Sequence, residues 1–429
     1  MIRRRGRPYV HPTLAIALGA LGFLAIRPSP VSAYSVLAHE SLIDAAWATA
    51  IEPILRQHFP RASADDLIVA RTYAYGGSTV QDMGYYPFGS RFLSNLLHYV
   101  RSGDFIEILL RDARGINEEA FALGALAHYV GDNTGHPEAI NRLVPMLFPK
   151  LGRKYGARVL YDQAPAEHVI TEFSLDVVQT AAGRYGPEAY TRFIGFEVAT
   201  PLVERAIRDT YGIEAKELFG DLDMAVGTYR FSVSQMIPAL TKAAWRDKHD
   251  AIARLIPNVD ERAFVYSFSR VEYEGKYGRT YKKPGWIARC LGFLYRLVPK
   301  IGPLKPLAFT TPTPQADTLF RASLATARTR FRAALEEVRV GTLELRNADF
   351  DTGASPHFGE YRLADETYAT LVHRLKEAGF ARLPAAVREN ILQYYANPSS
   401  PSEWATRKRT DWRRLQQELA LLKSTRPSP

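Results

Sequence analysis

Histidine is scarce in this chain, ten residues in 429, and five of the ten stand beside well-placed carboxylates between positions 39 and 168: His39, His98, His128, His136 and His168. The sharpest segment is Phe121-Ala-Leu-Gly-Ala-Leu-Ala-His128-Tyr-Val-Gly-Asp132-Asn-Thr-Gly-His136-Pro137. His128 and Asp132 are four apart and share one helix face. The residues before them are apolar and small, so that face is buried. A buried carboxylate is costly unless a charge or a set of hydrogen bonds meets it, and a divalent cation does so. His136 follows at the same spacing, but Gly135 and Pro137 predict that the helix has ended, which directs His136 to a neighbouring ion. A second pair, His168 and Glu172, has the same i, i+4 spacing on a helix that starts near Pro165. Upstream lie His39, Asp82 in a glycine-flanked loop, and His98 on an apolar stretch. One histidine on an apolar helix is more often a core residue with a hydrogen-bond partner. The combination points instead to a polynuclear zinc site of imidazole and carboxylate ligands, built from inward-facing side chains of a helical bundle.

The elements that must position these residues are helices. Apolar residues recur at three- and four-residue spacing through 40–58, 117–131, 164–181, 197–210, 216–245, 316–338, 366–379 and 402–423. Thr342–Arg346 alternates as a short strand would, but no long set of strands appears, so the fold class is all-α. Asn347-Ala-Asp349-Phe350-Asp351-Thr-Gly353 has the look of an acidic calcium loop with its glycine misplaced and no distal glutamate, and reads as a turn. The first 33 residues carry Arg3, Arg4, Arg5, Arg7 and Arg27, the apolar run 14–26 and the small residues Val31-Ser-Ala33, the layout of a secretory signal peptide. Cleavage after Ala33 makes Tyr34 the new terminus. The remainder divides into a catalytic domain over 34–250 and an accessory, mostly helical region over 251–429.

The formal charge is +10, yet without the leader the balance is 50 basic to 45 acidic residues, which is weak evidence for a nucleic-acid partner. The single cysteine, Cys290, excludes an internal disulfide and any cysteine-based zinc site.

With Tyr34 as terminus, these residues resemble the family of bacterial zinc-dependent phospholipases C, related to the zinc nucleases specific for single strands. The resemblance covers roughly 34–180 and implies a helical core holding three zinc ions. It makes Asp82, His98, His128 and Asp132 ligands of the first zinc, and His136, His168 and Glu172 those of the second. The amine and carbonyl of Tyr34 with His39 bind the third, which Asp132 bridges to the first. The family begins with Trp where this chain has Tyr34, and its gap before the residue matching His136 is longer. Its choline-binding residues are unmatched, since Met83 follows Asp82 and Asn95 stands three before His98.

The implied reaction is in-line attack on a phosphodiester, with Asp82 as ligand, general base or both. For a phospholipid the products are diacylglycerol and a phosphorylated headgroup. Glu172 favours the lipid branch, as does 276–305, where eight Lys and Arg residues without an acid interleave with aromatic and aliphatic side chains suited to an anionic membrane surface. The same mixture would suit single-stranded nucleic acid, so a single-strand-specific zinc nuclease is the alternative. A third reading is a non-catalytic metal-binding module at the cell envelope. The expected location is secreted or periplasmic, peripheral to membrane, with no obligate protein partner.

Overall fold

A computed structural model describes residues 34–185, 196–233, 237–256, 259, 308–396 and 409–427. Residues 1–33, expected from sequence to be a signal peptide, and the basic-aromatic segment at 276–305 lie outside these residues. Among those described the fold is all-α, with no strand. In chain order come α1 (Val36–Ala46), α2 (Glu52–His58), α3 (Ala64–Gly77), α4 (Arg91–Tyr99), α5 (Ser102–Asp112), α6 (Ile116–Gly135), α7 (Asn141–Leu147), α8 (Pro149–Tyr155) and α9 (Pro165–Ala181). There follow α10 (Thr200–Tyr211), α11 (Ala215–Leu218), α12 (Leu222–Phe231), α13 (Ile237–Leu255), α14 (Pro314–Val340), α15 (Arg362–Glu377), α16 (Ala385–Tyr394) and α17 (Arg409–Ser424).

The 20-residue α6 is the centre. It packs against α1, α3, α5 and α14, and from Ala120 onward nearly every residue is buried. Its small residues permit this. A Cβ on Gly124 would lie 2.1 Å from Ala74 O, and one on Gly77 would lie 1.9 Å from Phe121 O. The crossing of α3 and α6 therefore requires glycine on both helices. Termini follow local chemistry: Ser63 and Asp66 form a reciprocal capping box at α3. Thr313 caps the 27-residue α14, which ends at Gly341 with φ +75°.

One hydrophobic cluster runs from Tyr34 to Leu422, joining side chains before and after position 250 into a single core. A smaller one joins Phe173, Val177, Val178 and Ala181 of α9 to Leu240, Ala244 and Trp245 of α13.

Three sequence expectations change. The periodic stretch 216–245 is broken into α11, α12 and α13, because Asp221 caps a fresh helix through Met224 N at 2.9 Å. Thr342–Arg346 is irregular: Leu345 N donates to Glu107 Oε1 at 2.6 Å rather than to a strand partner. The α-helix ends at Gly135 as expected, but no loop follows it. The chain passes directly into a π turn, His136–Ile140, since Pro137 has no N–H to continue the α ladder and the wider turn absorbs that loss.

Candidate metal centre

Four elements bring the first group of donors together. His128 and Asp132 lie one turn apart on α6, with His128 Nε2 3.1 Å from Asp132 Oδ2. α1 delivers His39, whose Nε2 is 3.2 Å from Asp132 Oδ1 and whose ring stacks on His128 at 4.1 Å between centroids. A Cβ on Gly131 would meet His39 Nδ1 at 3.0 Å, so glycine there lets α1 approach. The end of α4 supplies His98, with Nε2 3.5 Å from Asp82 Oδ1 and 3.5 Å from Asp132 Oδ2. Asp82 sits in a 3₁₀ turn, Val80–Tyr85, held after α3 by Asp82 N donating to Thr79 O at 3.1 Å.

The imidazoles are oriented from behind. His98 Nδ1 donates to Ser94 O at 2.7 Å and His128 Nδ1 to Ser78 O at 3.0 Å. A carbonyl only accepts, so each Nδ1 carries a proton and each Nε2 faces the carboxylates.

A second group joins His136 at the π turn to His168 and Glu172 on α9. His168 has the opposite tautomer: Nε2 donates to Val159 O at 2.7 Å, which leaves Nδ1 facing inward.

Three sets therefore have ligand atoms close enough to hold a metal ion: His39, His128 and Asp132; Asp82, His98 and His128; and His136, His168 and Glu172. These residues fit zinc. Buried Asp82 Oδ1, His98 Nε2, His128 Nε2, both nitrogens of His136, His168 Nδ1 and Glu172 Oε1 make no hydrogen bond. Each such atom costs roughly 1–3 kcal/mol unless something meets it. The separations within the first group match the spacing of ligand atoms on one tetrahedral ion, ~3.3 Å apart for bonds of ~2.0–2.1 Å.

Electrostatics separates the two groups. Burial alone would raise Asp132, but His128, His39 and His98 outweigh it and hold the carboxyl well below its ordinary range. Burial opposes charge on His98 too, yet Asp132 and Asp82 push it up to about 10. Burial, then His128, lowers His39. In the second group burial brings His136 and His168 down to about 4. Burial, then the charge of Asp132, raises Glu172.

Tyr34 is fully buried beside this site. Its ring meets His39 edge-on at 5.9 Å and Phe320 at 5.4 Å, and its hydroxyl is 2.6 Å from Ser323 Oγ on α14. Asp176, one turn beyond Glu172 on α9, accepts Leu37 N at 3.0 Å and fixes the start of α1.

Two residues at the site escape sequence reasoning, and both come from 347–353. Phe350 N donates to His98 O at 3.2 Å, and its ring packs edge-on against His98 at 5.1 Å. Asp351 is fully buried, with Oδ1 3.3 Å from His136 Nδ1. The segment is the turn its composition predicts: Asp349 Oδ1 accepts the amide of Asp351 at 2.8 Å, and Gly353 has φ +70°. Its place against the donors is not encoded in that local pattern.

Residues 38–221 match the family model described as zinc dependent phospholipase C. No curated protein and no solved structure matches the chain.

Proposed function

From the match of residues 38–221 to the zinc dependent phospholipase C family model, we propose that the chain hydrolyses phospholipids to diacylglycerol and a phosphorylated headgroup with three zinc ions. The observation that carries this reading is the set of buried nitrogen and carboxylate atoms converging from α1, α4, α6 and α9. At family level the protein is a phospholipase C-like hydrolase that uses zinc.

Bound zinc supplies Lewis-acid activation of water and neutralises charge on a phosphoryl group. The chain's own residues then divide the work. Asp132, His39, His98 and His128 hold positions in the interior and are fully buried. Asp82 and Glu172 each keep 3% exposure, so of the nine donors only these two meet solvent. Substrate therefore approaches on their side. In this reading Asp82 takes the proton of the attacking water, and Glu172 serves the second group with His136 and His168. The buried position of Tyr34 beside His39 supports its backbone amine and carbonyl as the remaining ligands after export and cleavage. No helix among the described residues is long and apolar enough to cross a membrane. The basic and apolar composition of 276–305 supports contact with an anionic lipid surface.

The test is to purify the protein beginning at Tyr34, measure its zinc, and assay phospholipid vesicles of defined headgroups alongside single-stranded DNA and RNA, each with and without chelator. Chelator-sensitive release of diacylglycerol supports the proposal. Nucleotide release instead assigns the nuclease reaction. Full zinc without either product assigns a binding module.

A further inference from the structure

Three imidazoles of the site donate a hydrogen bond from their outward nitrogen to a backbone carbonyl: His98 to Ser94, His128 to Ser78 and His168 to Val159. His136 breaks the pattern, because neither of its ring nitrogens has a hydrogen-bond partner. The group that stands where a carbonyl would be is Asp351, its Oδ1 3.3 Å from His136 Nδ1 with both side chains fully buried. Asp351 belongs to none of the three donor sets, so it faces the imidazole rather than the ion.

The carboxylate is itself locked. Tyr99 donates to Oδ2 at 3.1 Å, and Tyr361 donates to the same oxygen. Asn141 Nδ2 donates to the Asp351 carbonyl at 2.7 Å. With Oδ2 occupied, Oδ1 is the oxygen left facing His136, and it has no other partner. The turn that carries it is stapled to the start of α5. Asn347 Oδ1 accepts Gly103 N and Asp104 N, both at 3.0 Å, and Ser102 Oγ donates to Ala348 O at 2.7 Å.

We propose that Asp351 is a positioning residue for the second metal site: it accepts a hydrogen bond from His136 Nδ1–H, fixes the ring and presents Nε2 to the ion. A carboxylate behind a ligating histidine also makes that ligand more basic than a carbonyl does. The segment after α14 thereby completes a site whose donors all lie before position 173. This rests on the zinc reading above, and the experiment separates the two.

Zinc binding by the chain beginning at Tyr34 is titrated calorimetrically in the wild type and in Asp351→Asn, and the histidine ring nitrogens of the zinc-loaded wild type are read by ¹⁵N NMR. The expected result is one zinc equivalent bound ~10–100-fold more weakly in Asp351→Asn with the others unchanged, and a wild-type His136 protonated at Nδ1 and metal-bound at Nε2. A purely structural role would not set that tautomer. The proposal is overturned if Asp351→Asn binds every equivalent as tightly as the wild type, or if His136 Nδ1 is the metal-bound nitrogen. The NMR arm needs no variant and stands even where Asp351→Asn folds poorly. A wild type that binds no zinc would bring down the functional reading as well, an outcome distinct from equal binding by the two proteins.

Discussion

Asp132 Oδ1 lies 3.2 Å from His39 Nε2 while Oδ2 of the same carboxylate lies 3.1 Å from His128 Nε2, so one side chain on α6 joins the first helix of the fold to the middle of the site. Asp132 takes part in one donor set directly and touches His98 of another. Its loss should therefore cost more metal than the loss of a residue serving one set. Asp132→Ala is expected to lose more than one zinc equivalent and to lower turnover by ~10²–10³-fold, the scale on which removal of charge stabilisation at a reacting centre is felt. Glu172→Ala is expected to lose a single equivalent. Elemental analysis of the two purified variants decides it. Equal zinc content in Asp132→Ala and the wild type would sink the bridging role.

Metal removal should cost stability as well as activity. Unpaired buried donors on α4, α6, α9 and the turn before α4 are left facing one another without a cation. A ligand that binds only the folded state stabilises it by about 4 kcal/mol at a free concentration of 1,000 Kd. Chelation is expected to lower the melting temperature by several degrees, and zinc in excess should restore it. A melting temperature indifferent to chelator in a zinc-containing preparation would argue against structural coupling of the ions.

Much of the site is readable before folding because two pairs, His128/Asp132 and His168/Glu172, are local: the helix period alone puts each on one face. His136 is readable as a donor but not in its geometry, since Pro137 signals termination where the chain widens into a π turn. Asp351 is unreadable in its role. Its distance to His136 is set by Asn347, Ser102, Tyr99 and Tyr361, contacts between segments more than 200 residues apart or made by side chains whose partners no period reveals. The helices α3, α4 and α5 are likewise missing from the periodic stretches, because α4 and α5 are short and α3 ends in paired glycines that look like a loop. Those glycines are there for the crossing with α6.

That crossing gives the next prediction. A methyl group on Gly124 would sit 2.1 Å from the Ala74 carbonyl oxygen, an atom that cannot swing away as a side-chain tip could. Gly124→Ala must therefore push α3 from α6, and Ser78 O, the acceptor for His128 Nδ1, moves with it. The expected cost is about 1–3 kcal/mol in a denaturant melt, the scale of overpacking, together with weaker zinc binding at the first group. Wild-type stability in Gly124→Ala would mean that the two helices are not in contact here.

Asp176 supplies a pH signature. Burial pushes its carboxyl up to about 7, against the hydrogen bonds it accepts from Tyr185, Ser35 and the amides at the start of α1. An unfolded aspartate titrates near ~3.9, so the folded state binds this proton more tightly than the unfolded state does. The stability it contributes is full below pH ~4 and is lost as pH rises through about 7. Asp176→Asn keeps a neutral side chain at every pH and lacks that decline. Measured in chelator, the melting temperature of Asp176→Asn minus that of the wild type should become more positive from pH 4 to pH 8 by an amount worth a few kcal/mol, since each tenfold difference in proton affinity between the folded and unfolded chain is worth ~1.4 kcal/mol. Taking the difference between the two proteins cancels the titration of the other acids. A difference that stays flat across that range would show that Asp176 holds α1 as a carboxylate throughout.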